Sequence, residues 1–219
     1  MPRFNRQSNL PQGLIAAIII GLSIGSVSRA QSTAPALRSA DAILAEIDAA
    51  HKQFNQAVKD PSEIADPARR RAIAPQAIPP LKTMVADFAE LATVQPQTKR
   101  RADQLELQFN AFLSVLGDQS TIDHLQAQAD SKDIAESLCG QASQLLARWV
   151  LAGKDETAQT KLADEVQTLD RAHPESEDLT FLTLTLSQST LSPPLEKRLL
   201  QLAREMQNPT AEKVRKTAP

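Results

Sequence analysis

Residues 142–174 read ASQLLARWVLAGKDETAQTKLADEVQTLDRAHP, and this stretch decides the fold. Before Gly153, Leu145 and Trp149 lie four residues apart, on one face of a helix. After Gly153, apolar residues again recur every three or four positions, at Ala158, Leu162, Val166 and Leu169. Pro174 ends this second series, because the residue before a proline disfavours helical backbone angles. The stretch predicts two helices joined by a tight turn, with Gly153 in the turn and Asp155 as the cap of the second helix.

The same apolar spacing continues outward from this hairpin in both directions. A stripe from Leu37 to Val58 predicts a first helix of about six turns, followed by a stop at Asp60-Pro61. Further stripes predict a helix over residues 81–92 and another over 102–116, which ends at Gly117. A capping box at Ser120 predicts the start of a short helix, and Ser131 is predicted to cap the next one. Ser192-Pro193-Pro194 predicts the start of the last helix.

Two segments are harder to interpret. The stretch from Asp60 to Pro80 contains five prolines, so it is predicted to be a broken connection with a short helix over residues 69–74, begun by Asp66-Pro67. Residues 179–186 mix a period of two with a helical spacing. A strand there would have no partner in the rest of the chain, so a buried helix is favoured over a strand.

Composition excludes several classes of function. The 219 residues include six Gly, no Tyr and one Cys, and three of the Gly fall in the first thirty residues. Too few Gly remain for a Gly-rich phosphate loop, and one Cys excludes an intrachain disulfide or a cysteine-rich zinc site. No Ser-His-Asp order, H-E-x-x-H motif or nucleophile elbow is present in the sequence. We therefore predict a non-enzymatic, all-α protein without a cofactor, built as an array of antiparallel helical hairpins in an α-solenoid or an irregular bundle.

The N-terminus has the layout of a secretory signal peptide. Arg3 and Arg6 precede an uncharged apolar run over residues 13–27, and Ser28-Arg29-Ala30 places small residues at −3 and −1 of a cut before Gln31. The alternative is an uncleaved N-terminal membrane anchor, although fifteen residues are few for a span that needs about 20. Cleavage would make the protein extracytoplasmic, either periplasmic or secreted.

Removal of residues 1–30 takes away three of the 24 basic residues and none of the 26 acidic ones, which leaves a net charge of −5. An acidic exported chain is a poor candidate for nucleic-acid binding. The predicted organisation is a signal peptide over 1–30, a flexible leader over 31–36, a single helical domain over 37–207 with a possible subdivision near 118–131, and a frayed polar tail over 208–219.

The hairpin resembles the tetratricopeptide (TPR) family. Leu145, Trp149, Gly153, Ala158 and Leu162 match that family's order of a large residue, a turn Gly, a small residue and a second large residue. The chain departs from the pattern at Leu146, where a small residue is expected, and at Pro174, which comes about one turn late. The resemblance covers under a fifth of the chain and implies a TPR-like fold that binds another protein or a peptide; an ordinary helical hairpin is the alternative.

A second, broader resemblance extends from Leu145 to Pro209. This region is similar to helical regions that precede thioredoxin-like domains in exported bacterial proteins, although no C-x-x-C occurs in the chain. The resemblance implies an accessory helical module without the redox domain, and whether a related catalytic domain lies elsewhere stays open.

Two Asp-x-x-His pairs are candidate metal ligands: Asp48 with His51, and Asp170 with His173. Residues three apart share one helix face, and helical bundles with two-metal sites use a comparable Glu-x-x-His pattern. Asp is shorter than Glu, and no inward acid is evident on the other stripes. A metal-binding bundle is therefore the second alternative, and satisfied structural histidines are the favoured interpretation.

The remaining reactive or charged groups favour structural roles. Cys139 lies mid-helix with no base predicted near it, which favours a small buried apolar residue over a nucleophile. The basic triplets at residues 69–71 and 99–101 point in several directions around a helix and so predict solvated faces.

The leading hypothesis is a protein-interaction or scaffold module whose partner and oligomeric state the sequence does not name.

Overall fold

The computed structural model describes residues 38–59, 62–190 and 192–207, apart from the side chains of residues 62 and 63. The predicted signal peptide, leader and tail, together with Leu37, lie outside these residues. Every regular element within the described ranges is helical, so the predicted all-α class is confirmed. The helices are α1 (Ala40–Ala57), α2 (Ser62–Ala65), α3 (Pro67–Val94), α4 (Lys99–Leu116), α5 (Gln119–Ala129), α6 (Ile134–Ala152), α7 (Glu156–Ala172), α8 (Glu177–Ser189) and α9 (Pro193–Gln207), with a 3-10 turn at Pro96–Thr98.

The helices pack largely in chain order. α1 packs on α3, α3 packs on α4, and α4 packs on α6, while α8 packs on α9. α6 lies at the centre, where it contacts α4, α5, α7 and α8. One apolar cluster runs from Ile43 in α1 to Met206 in α9 and joins these layers. The single tryptophan, Trp149, is only 2% exposed within this cluster.

Several predicted helix ends are found where the sequence places them. Asp66 accepts hydrogen bonds from the backbone N–H groups of Ala68 and Arg69, with Pro67 as the first residue of α3. Gly117 has a positive φ of 88°. Its N–H donates to the carbonyl of Ser114, and the N–H of Asp118 donates to the carbonyl of Leu113, which is the hydrogen-bond pattern of a Schellman cap. These caps satisfy backbone groups that a helix end leaves without a partner.

Two other predicted caps are wrong by two residues. Asp118, rather than Ser120, caps α5: its carboxylate accepts the backbone N–H and the hydroxyl of Thr121. Asp133, rather than Ser131, caps α6 by accepting the backbone N–H of Glu136. A carboxylate is a stronger acceptor than a hydroxyl and favours the positive end of the helix dipole, so the acidic neighbour takes the position.

The predicted broken connection over residues 60–80 is also wrong in its larger part. α3 runs for 28 residues without interruption, with Pro75, Pro79 and Pro80 inside it. Residues on its inward face, such as Ala77 and Leu81, are buried in the shared core. The packing of α3 between α1 and α4 therefore outweighs the local preference of proline for a helix end.

Residues 179–186 lie within α8, so the helix favoured by the sequence is confirmed. Its hydroxyl side chains bond back to the helix: Thr183 Oγ1 donates to the carbonyl of Leu179 at 2.8 Å, and Thr185 Oγ1 donates to that of Phe181 at 2.9 Å. This bonding lets threonine lie inside the core without an unsatisfied donor.

Candidate functional site

The α6–α7 hairpin is built by the residues that carry the sequence pattern. Leu145, Trp149 and Leu162 are buried between the helices. Gly153 has φ of 56° in the turn, a conformation that side chains disfavour. Gln159 Nε2 donates to the carbonyl of Gly153 at 2.8 Å, which fixes the turn against the first half of α7.

The close approach of the two helices does not depend on Ala158 alone. Ala158 is half-buried, and its backbone N–H donates to the Asp155 cap at 3.0 Å. The fully buried small residue of α7 is Ala163, next to Leu162. The hairpin is therefore observed, while a TPR arrangement of the whole chain stays a prediction.

A groove of about 440 Å³ lies along the hairpin between α6 and α7. Leu145 and Leu169 give it an apolar floor. Its rim carries the side chains of Gln141 and Gln144 on α6 and Thr168 on α7. The amide nitrogens of Gln141 and Gln144 already donate to Ser137 and to the carbonyl of Leu125, at 3.0 and 3.3 Å. The groove thus combines an apolar floor with amide oxygens that can accept hydrogen bonds from a ligand.

The charges beside this groove are paired with one another. Arg148 of α6 donates two hydrogen bonds to Glu165 of α7, at 2.5 and 2.7 Å, and this contact raises the pKa of Arg148. Asp164 accepts a hydrogen bond from Arg198 of α9 at 2.6 Å. The groove wall is therefore held in place by two ion pairs that link three helices.

The two Asp-x-x-His pairs lie on different helices, α1 and α7. Burial lowers the pKa of His51 despite the opposing charge of Asp48, and the Asn55 amide lies 2.9 Å from His51 Nε2. His173 is the C-cap of α7, and its N–H donates to the carbonyl of Leu169. Among the residues that the structure describes, no three His, Cys, Asp or Glu side chains form a group that could hold a metal ion. The two pairs therefore do not form a common ligand set.

Cys139 lies half-buried on α6, near carboxylates of other helices. Burial raises the pKa of its thiol to about 12, and the negative charges of Asp178, Glu106 and Asp103 act in the same direction. A thiol with so high a pKa is protonated at neutral pH and is a poor nucleophile. This environment agrees with the structural role that the sequence favours.

The basic triplets are engaged in local contacts. In the first, Arg70 donates to the carbonyl of Ile64 at 2.9 Å and Arg71 to that of Pro67 at 3.1 Å. In the second, Lys99 pairs with Asp103 at 2.9 Å and Arg100 with Glu177 at 3.0 Å. Arg70 and Arg100 thus connect the starts of α3 and α4 to α2 and α8, while the bonds of Arg71 and Lys99 stay within their own helices.

Sequence reasoning missed a charged site between α1 and α3. Arg38 precedes α1 and is hydrogen-bonded to Glu46 of α1 and to Asp87 and Glu90 of α3. One signal was available: Asp87 stands among the apolar positions of the α3 stripe, between Met84 and Phe88. An acid at an inward position predicts a cation close to it.

Comparison with protein-family models, with curated proteins and with solved structures gives no match to this chain. In the described part of the chain, no helix is both long enough and apolar enough to cross a membrane. The predicted apolar segment over residues 13–27 is outside that part.

Proposed function

We propose that the protein is exported and binds a segment of another protein in the groove between α6 and α7. The observation that carries the proposal is the groove itself, with Leu145 and Leu169 as its floor and the amides of Gln141 and Gln144 at its rim. An apolar side chain of the partner would occupy the floor, and the rim amides would bond its backbone. The TPR-like pattern of the same hairpin supports this proposal, since such hairpins serve protein recognition.

The electrostatics of the groove support an uncharged contact segment. Arg148 is paired with Glu165 and Asp164 with Arg198, so neither charge is left in excess at the groove. Both pairs are solvent-exposed and balance each other's charge, so the groove offers no unpaired charge that would hold a charged partner residue. We therefore expect the partner to present an apolar side chain flanked by uncharged residues.

Export is part of the proposal and rests on residues 1–30. Arginines followed by an apolar run and a small-residue cleavage pattern are the features of a secretory signal. The partner would then be an extracytoplasmic protein. Mass spectrometry of the protein recovered outside the cytoplasm is expected to give Gln31 as the first residue; an intact Met1 in the membrane fraction would support the anchor instead.

Site-specific photo-crosslinking tests the groove. A photoreactive amino acid at Thr168, on the groove rim, is compared with one at Thr93, an exposed residue of α3. The two sites are matched, because each threonine hydroxyl donates to the carbonyl four residues earlier, at 2.9 and 3.2 Å. We expect a discrete crosslinked partner from position 168 and none of that mass from position 93.

Binding by the purified partner is then measured with Thr168→Arg and Thr93→Arg. Arg at position 168 blocks the groove, so the dissociation constant should rise at least about tenfold, whereas Arg at position 93 should leave it unchanged. Equal effects of the two variants, or equal crosslinking from the two positions, would overturn the assignment of the groove.

A further inference from the structure

Arg38 is held by three carboxylates in a site formed by α1 and α3. We propose that Glu46, Asp87 and Glu90 form a guanidinium-binding site, which Arg38 fills from its own chain and which an arginine side chain of another protein can fill in its place. The proposal concerns a different face of the molecule from the α6–α7 groove and does not depend on it.

All three guanidinium nitrogens of Arg38 are engaged. Nε donates to both carboxylate oxygens of Glu90, at 3.2 and 3.0 Å. Nη2 donates to Asp87 Oδ1 at 2.6 Å and also to Glu90, and Nη1 donates to Glu46. Carboxylates arranged around a planar group in this way match a guanidinium fork, whereas the ammonium of lysine is a single point charge.

The site belongs to the packed helices, while its occupant does not. Glu46 lies on α1, and Asp87 and Glu90 lie three residues apart on one face of α3. These two helices pack together through core residues such as Ile43, Ile47 and Met84. Arg38 precedes Ser39, the N-cap of α1, and its side chain is 35% exposed. The occupant can therefore leave toward solvent, while the two packed helices keep the buried carboxylate of Asp87 in place and carry Glu46 and Glu90 beside it.

Asp87 depends on the guanidinium for its hydrogen bonding. The residue is only 3% exposed, so its carboxylate needs a cation close by. Its Oδ1 accepts from Arg38, but its Oδ2 is buried and accepts no hydrogen bond from the described residues. The three carboxylates together exceed the charge of Arg38, so the site stays attractive to a positively charged donor.

Chemical rescue in the full-length chain tests the proposal. Arg38→Ala empties the site, and ethylguanidinium, which reproduces the end of an arginine side chain, is added at constant ionic strength. We expect a saturable rise in Tm of about 3–6 °C when this probe exceeds its Kd tenfold. Ethylammonium at the same concentration should give a smaller shift, and the double variant Arg38→Ala/Asp87→Asn should give none with either probe.

A non-saturable shift, or the same shift in the double variant, would mean that the probe acts on the whole surface, and it would overturn the proposal. A second measurement keeps the test decisive if Arg38→Ala fails to fold. In the wild-type chain, the Nε–H of Arg38 should give a slowly exchanging NMR signal that weakens as ethylguanidinium displaces it and persists in ethylammonium. A signal typical of a free arginine, or one that ethylguanidinium leaves unchanged, would reject the exchange.

Discussion

At the scale of single residues, Gly140 is fixed by the approach of a neighbouring helix. A Cβ at this position would lie 2.6 Å from the backbone nitrogen of Ala129 and 2.8 Å from the Cβ of Gln128. Both atoms belong to the C-terminal end of α5, which packs across α6. Ser137, one turn earlier, donates to the carbonyl of Ala129 at 2.8 Å and holds the same contact. Gly140 therefore permits the α5–α6 crossing.

Gly140→Ala is expected to destabilise the protein, although Ala is the better helix former. The gain in helix propensity is about 1 kcal/mol, whereas overpacking against backbone typically costs about 1–3 kcal/mol. We expect a net loss of up to about 2 kcal/mol, measured by urea unfolding followed by Trp149 fluorescence. Gln76→Ala, at an exposed position of α3, is the control and should stay near wild type. An increase in stability of Gly140→Ala would show that α5 can move away at no cost.

Cys139 is expected to react slowly in the folded protein. With a pKa of about 12 instead of the ordinary 9.0 of a free thiol, the thiolate of Cys139 is about a thousandfold scarcer at neutral pH. Higher intrinsic nucleophilicity offsets part of this, which leaves alkylation by iodoacetamide about 50-fold slower than in the urea-unfolded chain. Mass spectrometry over time measures both rates, and equal rates would contradict the buried, negatively surrounded thiol.

The sequence predicts which kind of residue caps a helix better than it predicts which one. Gly117 and Asp155 have no rival of the same type beside them, and both are found at the predicted helix ends. Asp118 competes with Ser120 and Asp133 competes with Ser131. Tertiary contact helps decide the first case, because Lys82 of α3 forms an ion pair with Asp118 at 2.7 Å. Sequence spacing alone contains no information on that contact.

At the scale of elements, α3 shows how packing outweighs local preference. Pro75, Pro79 and Pro80 cannot donate to the carbonyls of Arg71, Pro75 and Gln76, the partners that a regular helix would supply. Pro80 lies in the buried face, while Pro75 and Pro79 are exposed. The helix persists because its inward positions contact both α1 and α4. A single sequence shows the prolines but not these contacts, so a broken connection was the reasonable prediction.

Pro75→Ala is expected to stabilise the protein. The exposed ring contributes little to the core, and Ala restores an N–H that can donate to the carbonyl of Arg71. An interior proline destabilises a helix by about 3 kcal/mol. Its removal also raises the conformational entropy of the unfolded chain, which lowers the free energy of unfolding, so we expect a net gain of about 1–2 kcal/mol. Urea unfolding measures it. Gln76→Ala, an exposed neighbour with an intact N–H, should change stability by less than about 0.5 kcal/mol. A loss of stability in Pro75→Ala would mean that α3 has adapted to the proline ring.

At the scale of the whole molecule, the fold class follows from apolar periodicity, whereas the sites depend on contacts between distant segments. The hairpin of α6 and α7 is local, so the positions of Trp149, Gly153 and Asp155 are accessible from spacing. The Arg38 site joins residues about fifty positions apart, and no pattern along the chain pairs Arg38 with Glu90. The groove is likewise a property of two packed surfaces.

Carboxylates on α4 and α8 repel one another and make stability depend on pH. The negative charge of Asp103 on α4 raises the pKa of Asp178 on α8. The charges of Asp103 and Glu106 also raise the pKa of Cys139 on α6. Burial, together with the charge of Asp103, raises the pKa of both Glu106 and Asp178. A carboxyl group whose pKa is raised by folding favours the folded state fully below its unfolded pKa and loses that contribution as the pH rises through its folded pKa. The ionised cluster therefore opposes folding at neutral pH.

Asp178→Asn removes one of these charges and should raise the Tm at pH 7. The gain should shrink as the pH falls and vanish below about 3, where the Asp178 carboxyl is protonated in the folded and unfolded chains alike. Asp41→Asn is the matched control, since Asp41 also lies in the first turn of its helix but is exposed. Asp41→Asn removes the favourable interaction of the Asp41 charge with the helix dipole, so the stability of this variant should be equal to that of the wild type or slightly lower. Thermal unfolding at several pH values measures both variants, and a gain for Asp178→Asn that is the same at every pH would show that ionisation of Asp178 is not its source.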